Sequence, residues 1–397
     1  MKTVCRVRRA ARAVWAPVAV AVVVLACGGA SAQATADPAA PALALERAFT
    51  DVYQRVEPAI VTVFAETGDL EDFWKKIAQG MERMPQGLGS GFVIDKRGYV
   101  ITNEHVVREG EKFSVLMSDG KKYRGRLVGQ DQLLDIALVK IVVPDEEKGT
   151  TFATVKLGDS DAVRAGMWTI AIGNPIGFIF DDSEPVISVG TVSGVNRTFV
   201  RTLEDRRKGL RTYGGLIQTD AVINPGNSGG PLLNIKGEVI GVNTLLWSPI
   251  GYNIGLGFAV PINTVRRKLK ALGQGYGVKK PMEYGTIDAN LKTLNEFYAD
   301  VLHLKGKRGV YVKQVFEDGA AAAAGIQDKD VILKVNGQRV VNAAQLVTLI
   351  AHLPIGKAAA FEIWRVVEDT PKTMIINVTL NGKTIKEIEA GALRPPK

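Results

Sequence analysis

Between Gly91 and Ile172 the chain is a succession of short apolar segments, each closed by Gly, Asp or Asn. They are Gly91–Ile94, Tyr99–Thr102, Phe113–Met117, Arg126–Val128, Ile136–Val142 and Trp168–Ile172. Segments this short cannot make stable helices, and the turn residues between them read as an all-β sandwich or barrel. Helical periodicity is scarce until the stretch from Pro261 to Leu272, where Asn263 or Thr264 is expected to cap a helix closing the first domain. A second unit follows. Gly309–Val312 reads as a strand, Ala320–Gly325 as a short alanine-rich helix ending at glycine, and Asp330–Gly337 as a strand with an Asn-Gly turn. Val341–Leu353 reads as an amphipathic helix, then Ala359–Val366 and Thr373–Leu380 as strands.

Within the β-rich part, Asn224-Pro225-Gly226-Asn227-Ser228-Gly229-Gly230-Pro231-Leu232 sets a serine in a glycine-rich turn. Glycines on both sides let the backbone bend sharply and let a carbonyl come close. Gly226, Asn227 and Ser228 form the candidate oxyanion-hole segment, with the N–H groups of Gly226 and Ser228 aimed at one spot. A serine hydroxyl needs a base and an orienting group. His105, in Thr102–Val107, is the only one of three histidines that precedes the serine. Asp135, which leads the apolar run Ile136–Val139, is preferred as its partner over Asp131. The order His105, Asp135, Ser228 is the chymotrypsin order among the convergent triads. A nucleophile elbow of the α/β-hydrolase type is rejected. Pro231 and a strand follow the serine where that elbow needs a helix, and His303 and His352 lie in the second unit.

These blocks, together with Gly87–Ile94, Gly173–Gly177, Gln218–Asp220 and Gly255–Pro261, resemble the HtrA (Deg-type) family of serine proteases in sequence and order across residues 45 to 270. The second unit resembles a PDZ domain. The resemblance implies a mainly β chain, with a two-barrel chymotrypsin/trypsin-like protease domain followed by a PDZ domain. The expected division is a signal peptide over 1–32, a flexible segment over 33–45, and the protease domain over 46–272. A linker over 273–282, the PDZ domain over 283–384 and a C-terminal tail over 385–397 complete it. The implied function is ATP-independent endoproteolysis of misfolded envelope proteins by a homotrimer or larger assembly, with C-terminal peptides bound by the PDZ domain. Phe49 and Tyr53, i and i+4 on a helix over Glu46–Val56, are either core residues or part of the trimer clasp that the resemblance implies. Asp69–Met84 matches the position of the family's variable LA loop. Asp181–Pro185 and Glu204–Arg211 lie in expected activation loops.

Asn227 stands where zymogen-type relatives of chymotrypsin carry an aspartate that pairs with a new N-terminal amine. Asparagine makes no such ion pair, so activation by pro-peptide cleavage is not expected. Candidate substrate-binding residues are Thr244, Leu245, Leu246, Ile254 and Leu256. A substrate strand adds beside 244–246 through main-chain bonds, and the aliphatic walls, with no carboxylate among them, predict cleavage after Val, Ala or Ile. Glu283, Tyr284, Gly285 and Thr286 occupy the place of the PDZ carboxylate-binding loop, with Thr286 for the usual apolar residue and Lys329 for a usual glycine. Gly87–Gly91 hints at a dinucleotide loop, but a strand follows it, so it reads as a barrel turn.

Composition narrows the remainder. The formal charge of +9 includes five basic residues among the first twelve, and +4 remains without them. No basic stripe with interleaved aromatics suggests nucleic acid. A basic start, an apolar stretch over Val14–Cys27 and Ala30-Ser31-Ala32 read as a cleaved secretory signal and a periplasmic address. The alternatives are a retained anchor or a lipid attached at Cys27. Cys5 and Cys27 are the only cysteines, so the mature chain has neither disulfide nor thiolate metal site. No cofactor or metal is expected. Two rival functions remain: a regulatory protease switched through its PDZ domain, and a chaperone-like binder whose triad rarely assembles.

Overall fold

The predicted apolar segments pair antiparallel into two barrels. The computed structural model describes residues 39–66, 87–108, 110, 112–174, 184–202, 210–224, 226–246, 255–304, 306 and 308–392. The leader, the Asp69–Met84 insert, most of Asp181–Pro185 and most of Glu204–Arg211 lie outside them. Residues Met1–Leu43 form one unit and Ala44–Lys397 the other. Of the first, the described residues comprise only the opening turn of helix α1 (Ala40–Val56). This helix starts well before Glu46, inside the segment expected to be flexible. Pro41 sits in its first turn, where the missing N–H costs nothing. Val52 and Val56 are buried, and Phe49 packs edge-on against Trp168 at 5.4 Å.

The first barrel contains β1 (Ile60–Glu66), β2 (Leu88–Asp95), β3 (Tyr99–Thr102), β4 (Lys112–Met117), β5 (Lys122–Asp131) and β6 (Ile136–Val142), closed in the order β1-β2-β3-β6-β5-β4. Val61, Val63, Val93, Val100, Val115, Val139 and Ile141 fill it. Branched side chains suit a pleated wall, and each fully buried one contributes about 1.5–3 kcal/mol. The glycine-rich run Gly87–Gly91, expected as a turn, lies mostly in β2. Helix α2 (Glu104–Val107) follows β3.

The second barrel comprises β8 (Trp168–Gly173), β9 (Val186–Thr202), β10 (Leu210–Thr219), β11 (Pro231–Leu233), β12 (Glu238–Leu246) and β13 (Gly257–Pro261). Its order is β11-β8-β9-β10-β13-β12, the β11–β12 pairing closes it, and the short β7 (Lys156–Leu157) adds to β12. Helix α3 (Ile262–Gly273) leaves this barrel with Pro261 at its N-cap position and no side-chain cap of its own. Instead, Asn263 N–H donates to Ser160 Oγ at 3.0 Å and Asn263 Nδ2 to Asp159 Oδ1 at 2.6 Å, so a distant loop satisfies the first turn.

The expected linker is stitched to the first barrel. Gln130 N–H donates to Tyr276 O at 3.0 Å, and its side-chain amide to Gly277 O at 3.3 Å. Gly277 has φ +81°, and a Cβ there would stand 1.8 Å from Gln130 O, so only glycine fits.

The second unit begins with β14 (Tyr284–Thr286) and continues through β15 (Ala289–Thr293), α4 (Glu296–Val301), β16 (Val310–Val315), α5 (Ala320–Ala324), β17 (Val331–Val335) and β18 (Gln338–Arg339). Then come α6 (Ala343–Ala351), β19 (Ala358–Val367), β20 (Thr370–Thr379) and β21 (Asn381–Lys383). β15-β16-β17-β19-β20 form one sheet and β14 pairs with β21. Gly325 ends α5 in the left-handed region at φ +87°, as its sequence implied, and Lys329 holds φ +73° at the place of a usual glycine. Asp330, fully buried, accepts from Arg365 Nε and Nη2 at 2.7 and 2.8 Å. The expected tail forms helix α7 (Ile385–Ala392), whose Ile385 and Ile388 pack on the main core. Thr384 N–H donates to Glu387 Oε2 and Glu387 N–H to Thr384 Oγ1, a reciprocal cap legible in the sequence as Thr-x-x-Glu.

Candidate active site

The end of β3 and the turn after β5 meet at one carboxylate. Asp131 Oδ1 accepts the N–H groups of Leu133 and Leu134 at 3.1 and 3.0 Å, shaping a tight turn. That turn delivers Asp135 with φ +62°, a conformation aspartate tolerates better than most residues. Asn103, buried at the start of α2, donates its side-chain amide to Asp135 O at 2.8 Å. Asp135 is fully buried. Oδ1 accepts the His105 N–H at 3.0 Å, and Oδ2 lies 2.8 Å from His105 Nδ1. A carboxylate accepts, so Nδ1 carries the proton and Nε2 is left as the basic nitrogen. The histidine side chain is 36% exposed, so this nitrogen sits at the edge of solvent. Of the two aspartates weighed from sequence, Asp135 meets His105. Asp131 builds the turn that presents it.

A third donor reaches the same carboxylate. Thr244 Oγ1 donates to Asp135 Oδ2 at 2.7 Å. β12 and β13 slip register between Asn243 and Leu245, so Thr244 is the extra residue of a bulge. The bulge turns its side chain toward Asp135 and away from the substrate strand that its position in the sequence suggests. Of the other specificity candidates, Leu256 packs half-buried on the main core. Leu245 and Leu246 pair through their backbones with Phe258 and Gly257. Ile254 lies outside the described residues, as do the side chains of Leu245 and Leu246.

The serine turn is wedged beside this group. Gly226 and Gly229 have φ +97° and +88°. A Cβ on Gly229 would stand 2.2 Å from Ser90 O and 2.4 Å from Thr102 Oγ1. A Cβ on Gly89 would meet Val106 Cγ2 at 2.5 Å and Ser228 O at 2.9 Å. The backbone of Ser228 and the helix that carries His105 therefore flank Gly89, and both approaches require glycine. Asn227 N–H donates to Asn224 O at 3.0 Å and is spent within the turn. The N–H groups of Gly226 and Ser228 find no acceptor among the described residues. Of the three oxyanion-hole candidates, these two can offer a main-chain donor to a ligand.

The proposed carboxylate loop of the second unit is placed differently from Ser228 and His105. Tyr284 is buried and donates its hydroxyl to Asp131 Oδ1 at 3.0 Å. Burial and the nearby carboxylate push its phenol well above the usual range. Gly285 packs on Ile350 O, and Thr286 Oγ1 accepts Asp288 N–H at 3.1 Å. Glu283 is exposed. Beside Tyr284 lies His352, at the foot of α6, with its ring edge-on at 6.3 Å and Nδ1 2.6 Å from Thr348 O. Burial lowers its pKa to about 4. Lys268, largely buried over the Tyr284 ring, is also lowered by burial. Next to this group lies a cavity of about 330 Å³, with Arg164, Asn196, Gly214, Arg267, Gln345 and His352 among its walls.

Residues 89–242 match the trypsin-like peptidase domain and residues 286–363 the PDZ domain. A probable periplasmic serine endoprotease, DegP-like, of Pseudomonas putida is 38% identical over 78% of this chain and 59% of its own length. A second one from that species is 36% identical over 80% of this chain and 67% of its own. The chain thus spans about half to two-thirds of the length of the curated relatives it matches. Among solved structures, the HtrA-type protease AlgW with tripeptide aligns with TM-score 0.61 and 27% identity, covering 88% of this chain and 98% of that one.

Proposed function

Because the chain belongs to the HtrA, DegP-like family of trypsin-like serine endoproteases, we propose that it is an ATP-independent serine endopeptidase acting on unfolded polypeptides in the periplasm. The observation that carries this reading is the fully buried Asp135 holding His105 Nδ1 at 2.8 Å. Ser228 Oγ attacks the scissile carbonyl while His105 Nε2 takes its proton. The imidazolium is stabilised through Nδ1–H by Asp135. The oxyanion of the tetrahedral adduct is met by the N–H groups of Gly226 and Ser228. His105 then gives the proton to the leaving amine, the C–N bond breaks, and an ester to Ser228 remains. A water repeats the sequence and frees the acid. The β12 edge near Leu245 and Leu246 takes the substrate strand, with Val, Ala or Ile before the cut.

Homotrimer assembly is supported by the exposed apolar surface on β8 and β9, formed by Trp168, Val186, Ile187 and Val189, next to Phe49. The PDZ domain is proposed to hold C-terminal peptides, with α6 along its groove. A regulatory protease switched through that domain is the second reading. It is favoured by the hydrogen bond from Tyr284 to the Asp131 turn.

The test is digestion of a permanently unfolded protein by the chain and by Ser228→Ala, with cut sites read by mass spectrometry. Cleavage lost in the variant, with small aliphatic residues before the cut, is the expected result. Cleavage chiefly after Lys or Arg, or equal cleavage by both proteins, would overturn the reading.

A further inference from the structure

With asparagine at position 227, no ion pair is available to hold the turn that carries the two oxyanion donors. The structure shows what holds it instead. Ser90, in β2, is fully buried and makes four hydrogen bonds. Its hydroxyl donates to Gly226 O at 2.6 Å and accepts Asn174 N–H at 2.9 Å. Its own N–H donates to Ser228 O at 2.8 Å, and its carbonyl accepts from Thr102 Oγ1 at 2.7 Å. Because Asn174 supplies the proton in one of the hydroxyl's two contacts, the single Ser90 O–H proton is committed to Gly226 O.

The Gly226 carbonyl and the Asn227 N–H belong to one planar peptide unit. The carbonyl end is fixed by Ser90 Oγ and the N–H end by Asn224 O at 3.0 Å. This unit lies directly between the two peptides whose N–H groups, those of Gly226 and Ser228, have no acceptor among the described residues. Beyond it, the Ser228 carbonyl is fixed by Ser90 N–H. One residue therefore pins the turn on both sides of the Ser228 N–H. The surroundings leave little slack, since a Cβ on Gly173 would stand 2.8 Å from Ser90 Oγ and 2.7 Å from Asn227 Oδ1.

We propose that the Ser90 hydroxyl is a positioning residue for the oxyanion turn, holding the Gly226–Asn227 peptide so that the Gly226 and Ser228 N–H groups converge on the developing oxyanion. It performs the task that an aspartate–amine ion pair performs in zymogen-type enzymes, and it does so without a cleavage event. The inference rests on the reading of Ser228 as nucleophile. Its mark is kinetic: a group that only fixes oxyanion donors acts on the transition state and leaves ground-state binding unchanged.

The experiment compares the full chain with Ser90→Ala on a chromogenic peptide, alongside affinities for a peptide boronate and for a product peptide ending in a free carboxylate. Loss of a whole oxyanion donor costs about 10²–10³ in kcat. Loosening of both donors by loss of Ser90 is expected to cost roughly 10–100-fold in kcat. KM and product affinity should stay within about twofold, and boronate affinity should fall with kcat/KM. Should Ser90→Ala melt too early to assay, Ser90→Cys, which keeps the volume and offers a poor donor, is read by the same criteria. A kcat within twofold of the parent chain, or a loss shared equally by product and boronate affinity, would overturn the proposal. If the parent chain itself shows no Ser228-dependent turnover, the protease reading fails and this inference fails with it. A fully active parent beside an unimpaired Ser90 variant sinks the inference alone.

Discussion

Tyr284 donates its hydroxyl to Asp131 Oδ1 at 3.0 Å, so β14, the first strand of the second unit, is bonded to the turn that presents Asp135, four residues further on. The pair lies inside the main core, with Leu134, Val128, Leu272 and Met282 in the same cluster. Tyr284→Phe removes the hydroxyl and leaves a buried carboxylate short of one donor. It should destabilise the chain by about 1–3 kcal/mol. Chemical denaturation measures that loss. A double-mutant cycle with Asp131→Ala, which removes the acceptor, should return a coupling, and additive effects would show that the bond contributes nothing of its own.

His352 makes the same interface acid-sensitive. Its pKa is lowered to about 4 by burial, against the attraction of Asp131, with Lys268 and Arg267 repelling the proton as well. Between the ordinary histidine value near 6.5 and a folded value near 4, the unfolded chain binds the extra proton, so stability falls as pH falls through that window. At one unit per 1.36 kcal/mol the full effect is about 3 kcal/mol. Denaturation at pH 7 and pH 4.5 should show this loss in the natural chain and a shallower slope in His352→Gln.

Thr244→Val keeps the shape of the side chain and removes its donor to Asp135 Oδ2. Hydrogen bonds to charged groups are worth about 1.5–3 kcal/mol. If that stabilisation serves the imidazolium form of His105, kcat should fall roughly ten- to hundredfold with KM little changed. Steady-state kinetics on a peptide substrate checks the split.

Arg365 and Asp330 form a two-pronged buried pair between β19 and the start of β17. Arg365→Ala leaves a buried carboxylate without its cation and should cost about 3–5 kcal/mol. The loss should appear as an early transition of the PDZ domain in calorimetry.

The strands were legible because alternation and turn residues act locally: β3, β4 and β6 fall within a residue or so of their apolar runs. His105, Asp135 and Ser228 stood out because each sits in a distinctive block, and Asp135 leads a strand that must be buried. What escaped depends on residues far apart in the chain. Thr244 reads as a substrate-strand residue until a bulge turns it to Asp135. Ser90 lies in a glycine-rich run that looks like a turn, and only the fold brings it to Gly226. Tyr284 matches a peptide-binding loop by position, yet its side chain is committed to Asp131. The start of α3 is satisfied by Ser160 and Asp159, about a hundred residues away, which no local capping rule can find. The Thr384–Glu387 cap, by contrast, was readable and marks α7 where a tail was expected.

If the proposed activity holds, a molecule that severs extended chains is surrounded by copies of itself. The glycine-rich stretch between the two domains would ordinarily be the easiest place for one copy to cut another. Its residues Tyr276 and Gly277 are bonded to Gln130 of β5, so at that point the chain is not free to extend into a neighbour's cleft. Under the proposed activity, that anchorage is a local shield against self-digestion.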